Sequence, residues 1–182
     1  MIVRKLYPWE WDELRAHLLR LDPEVRRLRF CRRVDDEDVE AYCDRIDRRR
    51  TTVLGCFIEG RLRGVAELIE IPQELPKSAE IALSVERPFQ RQGIGTRLLG
   101  QVLLVARNRM IRTVHLISLS ENEPLQHLAR KFGATTQTYL SSTEGRIGLA
   151  WPSYLSLLEE LAADGHALIG AAFELTAERK AG

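Results

Sequence analysis

The stretch from Ala79 to Thr96, AEIALSVERPFQRQGIGT, constrains this chain more than any other. Its first part, Glu80 to Val85, is apolar and short enough for a buried strand. Its last part, Gln90 to Gly95, is a Gln-x-x-Gly-x-Gly turn. An amphipathic helix follows at once, with Leu98, Leu99, Val102, Leu103, Ala106 and Met110 at i, i+3, i+4, i+7 spacing. Strand, glycine turn and helix start together predict an anion cradle. The first backbone N–H groups of a helix have no partner within it, and the helix dipole adds partial positive charge there. Glycine lets a phosphate come close to the backbone. The P-loop pattern is excluded, because no Gly-Lys-Ser/Thr follows the turn. The dinucleotide pattern is excluded too, because the third glycine is absent.

The rest of the chain arranges itself around this unit. Ile2 to Leu6 reads as a strand, and Pro8 opens a helix to about Leu21 with Trp11, Leu14, Leu18 and Leu21 on one face. Asp22 is a natural N-cap and Pro23 a natural first residue for the next helix. Its arginines, Arg26, Arg27, Arg29, Arg32 and Arg33, read as a solvated face partly neutralised by Asp35 to Asp38. That acidic run caps a helix from about Asp36 to Ile46. Thr52–Ile58 and Leu62–Ile71 make a hairpin across Glu59-Gly60. After the central helix come a strand at Thr113–Leu119 and a helix at Pro124–Phe132, ended by Gly133. Ala134–Leu140 and Arg146–Trp151 are expected to close the domain as a hairpin across Thr143-Glu144-Gly145. The order β, helices, β-β-β, α, β, α, β-β predicts an α/β (α+β) domain with a mixed, mostly antiparallel central sheet flanked by helices.

Gln90-Arg91-Gln92-Gly93-Ile94-Gly95, after a strand and opening a helix, resembles the pyrophosphate-binding signature of the GNAT acyltransferases, the Gcn5-related N-acetyltransferases. The element order matches that fold over about Ile2 to Trp151. A second signature is an Asn that opens a helix ending in Gly, here Asn122, Leu125, Leu128 and Gly133. The LDPEVRRLRF segment, the acidic helix after it and the apolar tail are similar to bacterial GNAT domains of the protein-lysine acetyltransferase type. The resemblance implies an acetyl-CoA-dependent N-acetyltransferase domain over residues 1–151 and a helical extension over 152–182. It implies that the acceptor is a primary amine, on a small molecule or a protein lysine, and that it attacks directly. Turn amides from Arg91 to Thr96, with Gln90, Gln92, Gly93, Ile94 and Gly95, would hold the pyrophosphate. Arg91 either adds charge there or points to solvent. Asn122 would reach the pantetheine or phosphate end, and N-capping is its other role. The backbone at Ser84 and Val85 is similar to the splayed stretch that pairs with pantetheine and offers an N–H to the thioester.

A lysine amine has a pKa of about 10.4 and arrives protonated, so a base is needed. Glu80 stands where the protein-lysine and histone branches place a glutamate, and alternation puts it on the face of Ala82 and Ser84. A carboxylate in an apolar strand is costly unless solvated or used, and pairing with an arginine such as Arg63 is the structural alternative. Glu67 and Glu70 are the other base candidates, while His115 and His127 read as structural. Ala129 occupies the position where the family often has a tyrosine acid for the departing thiolate. The acid is then absent, or Tyr139, Ser118 or water replaces it, or the domain is a non-catalytic acyl-CoA-binding module.

The 182 residues, 45% hydrophobic and 29% charged, suit a globular domain, and a net charge of +1 gives no argument for nucleic acid or membrane partners. Cys31, Cys43 and Cys56 show no pairing logic, no metal-ligand spacing appears, and the start is no signal peptide, so a cytoplasmic protein without a metal is expected. Tyr154, Leu158 and Leu161 align on a helix from Ser153 to Asp164. The apolar HALIGAAFEL segment, His166–Leu175, packs on the sheet or in a homodimer, the latter preferred.

Overall fold

Two hydrophobic layers enclose one seven-stranded sheet of order β1-β2-β3-β4-β5-β7-β6 in a computed structural model that describes residues 1–165. The strands are β1 (Ile2–Lys5), β2 (Thr51–Ile58), β3 (Arg61–Glu70), β4 (Ser78–Val85), β5 (Thr113–Leu119), β6 (Thr135–Thr138) and β7 (Ser142–Gly148). The helices are α1 (Trp11–Arg20), α2 (Pro23–Phe30), α3 (Asp36–Arg45), α4 (Ile94–Asn108) and α5 (Glu123–Lys131), with α6 over residues 154–165. All pairings are antiparallel except β4 with β5. The expected mixed sheet flanked by helices is the architecture found.

Each layer follows from periodicity. Leu98, Leu99, Val102, Leu103 and Ala106 bury one stripe of α4 against Leu54, Ala66, Leu68, Ala79 and Ile81 of the strands. On the other face Leu14, Leu18 and Leu21 pack with Val25, Val39, Val53 and Val65. Asp22 caps α2 by accepting from the N–H groups of Glu24 and Val25, and Asp35 and Asp38 form a capping box on α3.

Two expectations are corrected. The α2 arginines are not all solvated. Arg26 is 8% exposed and bonds Asp36, and the Arg29 side chain is 7% exposed and binds Glu67, whose side chain is fully buried. Glu67 Oε2 also accepts from Tyr42 Oη at 2.7 Å, so this network ties α2 and α3 to β3. An eight-residue helix seated on the sheet turns two of its arginines inward, which charge counting does not reveal. The closing hairpin turns at Tyr139–Ser141, where Tyr139 N–H donates to Ser142 O at 2.8 Å. Thr143, Glu144 and Gly145 lie within β7, because β5 pairs with it from Leu119–Ser142 to Thr113–Gly148. The long ladder fixes the register and overrides local turn propensity.

The tail helix α6 is held by polar groups. Lys5 Nζ bonds Glu160 and Asp164, and Asn108 bonds Ser156 and Glu160. The Tyr154, Leu158 and Leu161 row is exposed. His166–Leu175 lies outside the described residues.

Truncating one partner of a buried ion pair leaves the other charge unmatched. Glu67→Ala should therefore cost about 3–5 kcal/mol in urea unfolding, because Arg29 loses its only acidic partner among the described residues.

Candidate functional site

The parallel ladder between β4 and β5 is short. It runs Ser78–Thr113, Ala79–Val114 and Glu80–His115, and stops there. β4 continues to Val85 and β5 to Leu119, so the two strands part like a V. On its other edge β4 stays paired with β3 to Val85.

The pairing with β3 decides which backbone groups are free. Glu86 N–H donates to Arg63 O, and Ile71 N–H donates to Ser78 O. Antiparallel partners alternate, so residues 78, 80, 82 and 84 direct N–H and C=O toward β3. Residues 81, 83 and 85 direct theirs toward the gap. Val85, not Ser84, therefore offers its N–H to the cleft, joined by Leu83. Gln90 Nε2 donates to Val85 O at 2.9 Å, which leaves the N–H as the free group of that residue.

A cleft of about 500 Å³ fills the gap. Leu83, Ser84 and Val85 form one wall, and Asn122, Leu125 and Leu128 the other. Val25, Leu28 and Arg29 of α2 cover it. Its end is the turn Gln90, Arg91, Gly93 and the first residues of α4, Ile94, Gly95 and Thr96.

That end is built to bind an anion. Gly93 has φ +80° and Arg91 φ +59°, so the turn passes twice through the left-handed region before the helix starts. Alternation of this kind turns successive N–H groups toward one point. Nothing lies within 4 Å of a Cβ built on Gly93, so backbone conformation alone demands glycine there. No side chain caps α4, and the Arg97 N–H donates to Gly93 O as the first helical bond. The N–H groups of Ile94, Gly95 and Thr96 are thus open. Arg91 at the cleft edge and Lys131 on α5 add cations, and His127 of α5 lines the same end.

Gln92 does not line the cleft; its Nε2 donates to Pro88 O at 3.0 Å and braces the turn. Asn122 is 9% exposed, and its Oδ1 accepts from Leu125 N–H at 3.2 Å, so capping occupies the oxygen and leaves the amide hydrogens for a ligand. Glu80 lies about 13 Å along β4 from Ser84 at a strand rise of about 3.3 Å per residue. It shares the Ser84 face but does not line the cleft, and among the described residues its carboxylate has no ion-pair or hydrogen-bond partner. Arg63 binds Glu86 instead. Of the other candidates, Glu67 is spent on Arg29 and Tyr42, Glu70 stands 3.7 Å from Arg109, and His115 bonds Glu144. Ser118 donates to Thr143 O and Tyr139 is exposed; neither opens on the cleft. Ala129 is 2% exposed and faces Gly145 of β7.

Sequence reasoning overlooked His17 and Lys131, and it read Arg29 as solvated and His127 as structural, although both line the cleft. His17 is fully buried, with Nε2 2.9 Å from Ser84 Oγ and Nδ1 3.4 Å from Glu86 Oε1. Its spacing from Leu14 and Leu21 put it on the inner stripe of α1, which is the signal that could have found it. Glu86 is 6% exposed. Burial alone would raise its carboxyl, but contacts from His17, Arg20 and Arg63 hold it down at about 2.

A family model described as the Acetyltransferase (GNAT) family matches residues 4–134. The GNAT domain of PAT from S. lividans superposes with a TM-score of 0.69 at 22% identity, over 81% of this chain and 89% of that one. A ribosomal-protein-alanine N-acetyltransferase from Brucella melitensis gives 0.64 at 19% identity, over 82% and 100%. A putative acetyltransferase from Salmonella typhimurium, solved with its cofactor acetyl-CoA, gives 0.62 at 18% identity, over 85% and 98%.

A carboxyl depressed in the fold stabilises above its unfolded pKa, and that stability is lost as pH falls through the folded value. Glu86 should therefore contribute stability that fades between pH 4.5 and about 2. Acid titration of unfolding should show a shallower loss across that window in Glu86→Gln than in the unmodified chain.

Proposed function

The chain belongs to the GNAT family of acetyltransferases, and from that membership we propose that it moves an acetyl group from acetyl-CoA to a primary amine, on a small molecule or a protein lysine, by direct attack. The observation that carries this reading is the V between β4 and β5, closed at one end by uncapped helix amides. The pyrophosphate would rest on the turn and the first turn of α4, where free N–H groups and the helix dipole favour negative charge. Pantetheine would run along β4 and pair with the gap-facing groups of Val85 and Leu83, while Asn122 donates from the opposite wall.

The thioester would then lie beside Leu83 to Val85, where a backbone N–H can hold the oxygen that gains charge during attack. Glu80 would take the first proton of the incoming ammonium, through water, from its place further along the same strand face. A carboxylate without an ion-pair partner among the described residues is suited to that task. The α2 cover borders the approach of the acceptor.

Thr96→Glu tests the cradle. A carboxylate in the first turn stabilises the helix itself and opposes a bound anion. The variant should keep its melting temperature, while CoA affinity by calorimetry falls about tenfold or more. Unchanged affinity would place the pyrophosphate elsewhere. Glu80→Gln should lower kcat for an alkylamine on the order of 10²-fold with CoA affinity unchanged.

A further inference from the structure

Three residues beside the cleft form an arrangement that the chemistry above does not use. Ser84 is a cleft-lining residue, and its Oγ is 2.9 Å from His17 Nε2. The other ring nitrogen of His17 stands 3.4 Å from Glu86 Oε1 and makes no well-aligned hydrogen bond. Glu86 is fixed by Arg20 Nε at 3.0 Å on Oε1 and Arg63 Nη1 at 2.8 Å on Oε2. Arg20 also donates to Leu62 O at 2.7 Å, which locks it to the strand. Two guanidiniums already balance Glu86. The tautomer that suits this site carries its hydrogen on Nδ1, toward the carboxylate, and offers the Nε2 lone pair to the Ser84 hydroxyl. A hydroxyl on an imidazole that a carboxylate orients is the arrangement of an activated hydroxyl.

Proton counting gives it a task. An ammonium acceptor and acetyl-CoA yield an amide, free CoA thiol and one proton. The nitrogen sheds two protons, one before attack and one as the C–N bond forms. The thiolate needs one of them. No tyrosine stands at position 129 to supply it, and Ser118 and Tyr139 do not reach the cleft.

We propose that Ser84, backed by His17 and oriented by Glu86, carries the second proton from the attacking nitrogen to the departing sulfur. As the C–N bond forms, the nitrogen's proton moves to Ser84 Oγ and the hydroxyl's own proton moves to His17 Nε2. As the C–S bond breaks, its electron pair stays on sulfur, His17 returns its proton to Oγ, and Oγ passes one to the thiolate. Ser84 ends as it began, nothing is oxidised, and no acyl-serine forms. Ser84 touches the reacting atoms; His17 and Glu86 act through it. This inference rests on acetyl-CoA occupying the cleft as proposed above.

The test uses the full chain, acetyl-CoA and two probes. Butylamine arrives protonated, its pKa being about 10.4; methoxyamine arrives neutral and has one proton fewer to lose. Thiol release is followed at pH 7.5, with CoA affinity and melting temperature measured for every variant. Ser84→Ala and His17→Gln should lose kcat about 10–100-fold on both probes at unchanged affinity, because the second proton remains to be moved in both cases. Glu80→Gln should be impaired on butylamine and recover to within about threefold of the unmodified chain on methoxyamine, because the first proton is already gone. Ser84→Ala and His17→Gln within about twofold on both probes would overturn the shuttle. So would losses that track affinity or melting temperature, or an acetyl ester found on Ser84 by mass spectrometry. An unmodified chain that acetyl-CoA neither stabilises nor acetylates amines through would overturn the acetyl-transfer reading together with this one, whereas the other results overturn the shuttle alone.

Discussion

The parting of β4 from β5 after Glu80 and His115 is the constraint on which the rest depends. A ladder continued to Val85 would consume the N–H and C=O groups of residues 81, 83 and 85 and leave no gap. The strands part because each keeps a stronger partner on its far side: β3 holds β4 to Val85, and β7 holds β5 to Leu119. The helices α4 and α5 then cover one face of the opening, and α2 covers the other. The cleft is thus a by-product of two long antiparallel ladders that diverge, and it needs no strained residue in the sheet itself.

Left-handed backbone enters the site in the turn that follows. Arg91 and Gly93 both have positive φ, and Gln90 and Gln92 pin the turn to the carbonyls of Val85 and Pro88. Strained turns persist when their surroundings fix them, and they gather where ligands bind. The two glutamines explain how a non-glycine residue is kept in the left-handed region at position 91. They shape the anion site from behind, and Gln92 does so without lining the cleft.

Much of this was legible in the sequence, for physical reasons that differ by element. The stripe of α4 and the caps at Asp22 and Asp35 are local signals, and local signals survive folding. The β4-turn-α4 unit was legible because glycine at 93 answers a backbone demand. The last hairpin was misplaced because β5, far away in sequence, sets the register of β7. Arg29 was misread as solvated because its partner Glu67 lies on a strand of another layer. His17 was overlooked because a histidine on an apolar stripe looks like filler until Ser84 is found across from it. Which of Ser84 and Val85 faces the gap depends on the pairing phase of β3 and β4, which two hydrogen bonds at the strand ends reveal and no sequence pattern does.

Along β4, backbone duties fall on odd positions and side-chain duties on even ones: 81, 83 and 85 face the opening, while Glu80 and Ser84 project from the sheet face beneath α1 and α2. The two sets are interleaved at single-residue spacing. Substitutions can therefore drift at any one position, but adding or deleting one residue between Glu80 and Val85 would swap the sets and carry the Ser84 hydroxyl to the opposite face of the sheet, away from its imidazole. The length of this strand segment is in effect a fixed ruler, and across related chains its spacing should hold firm where its letters change.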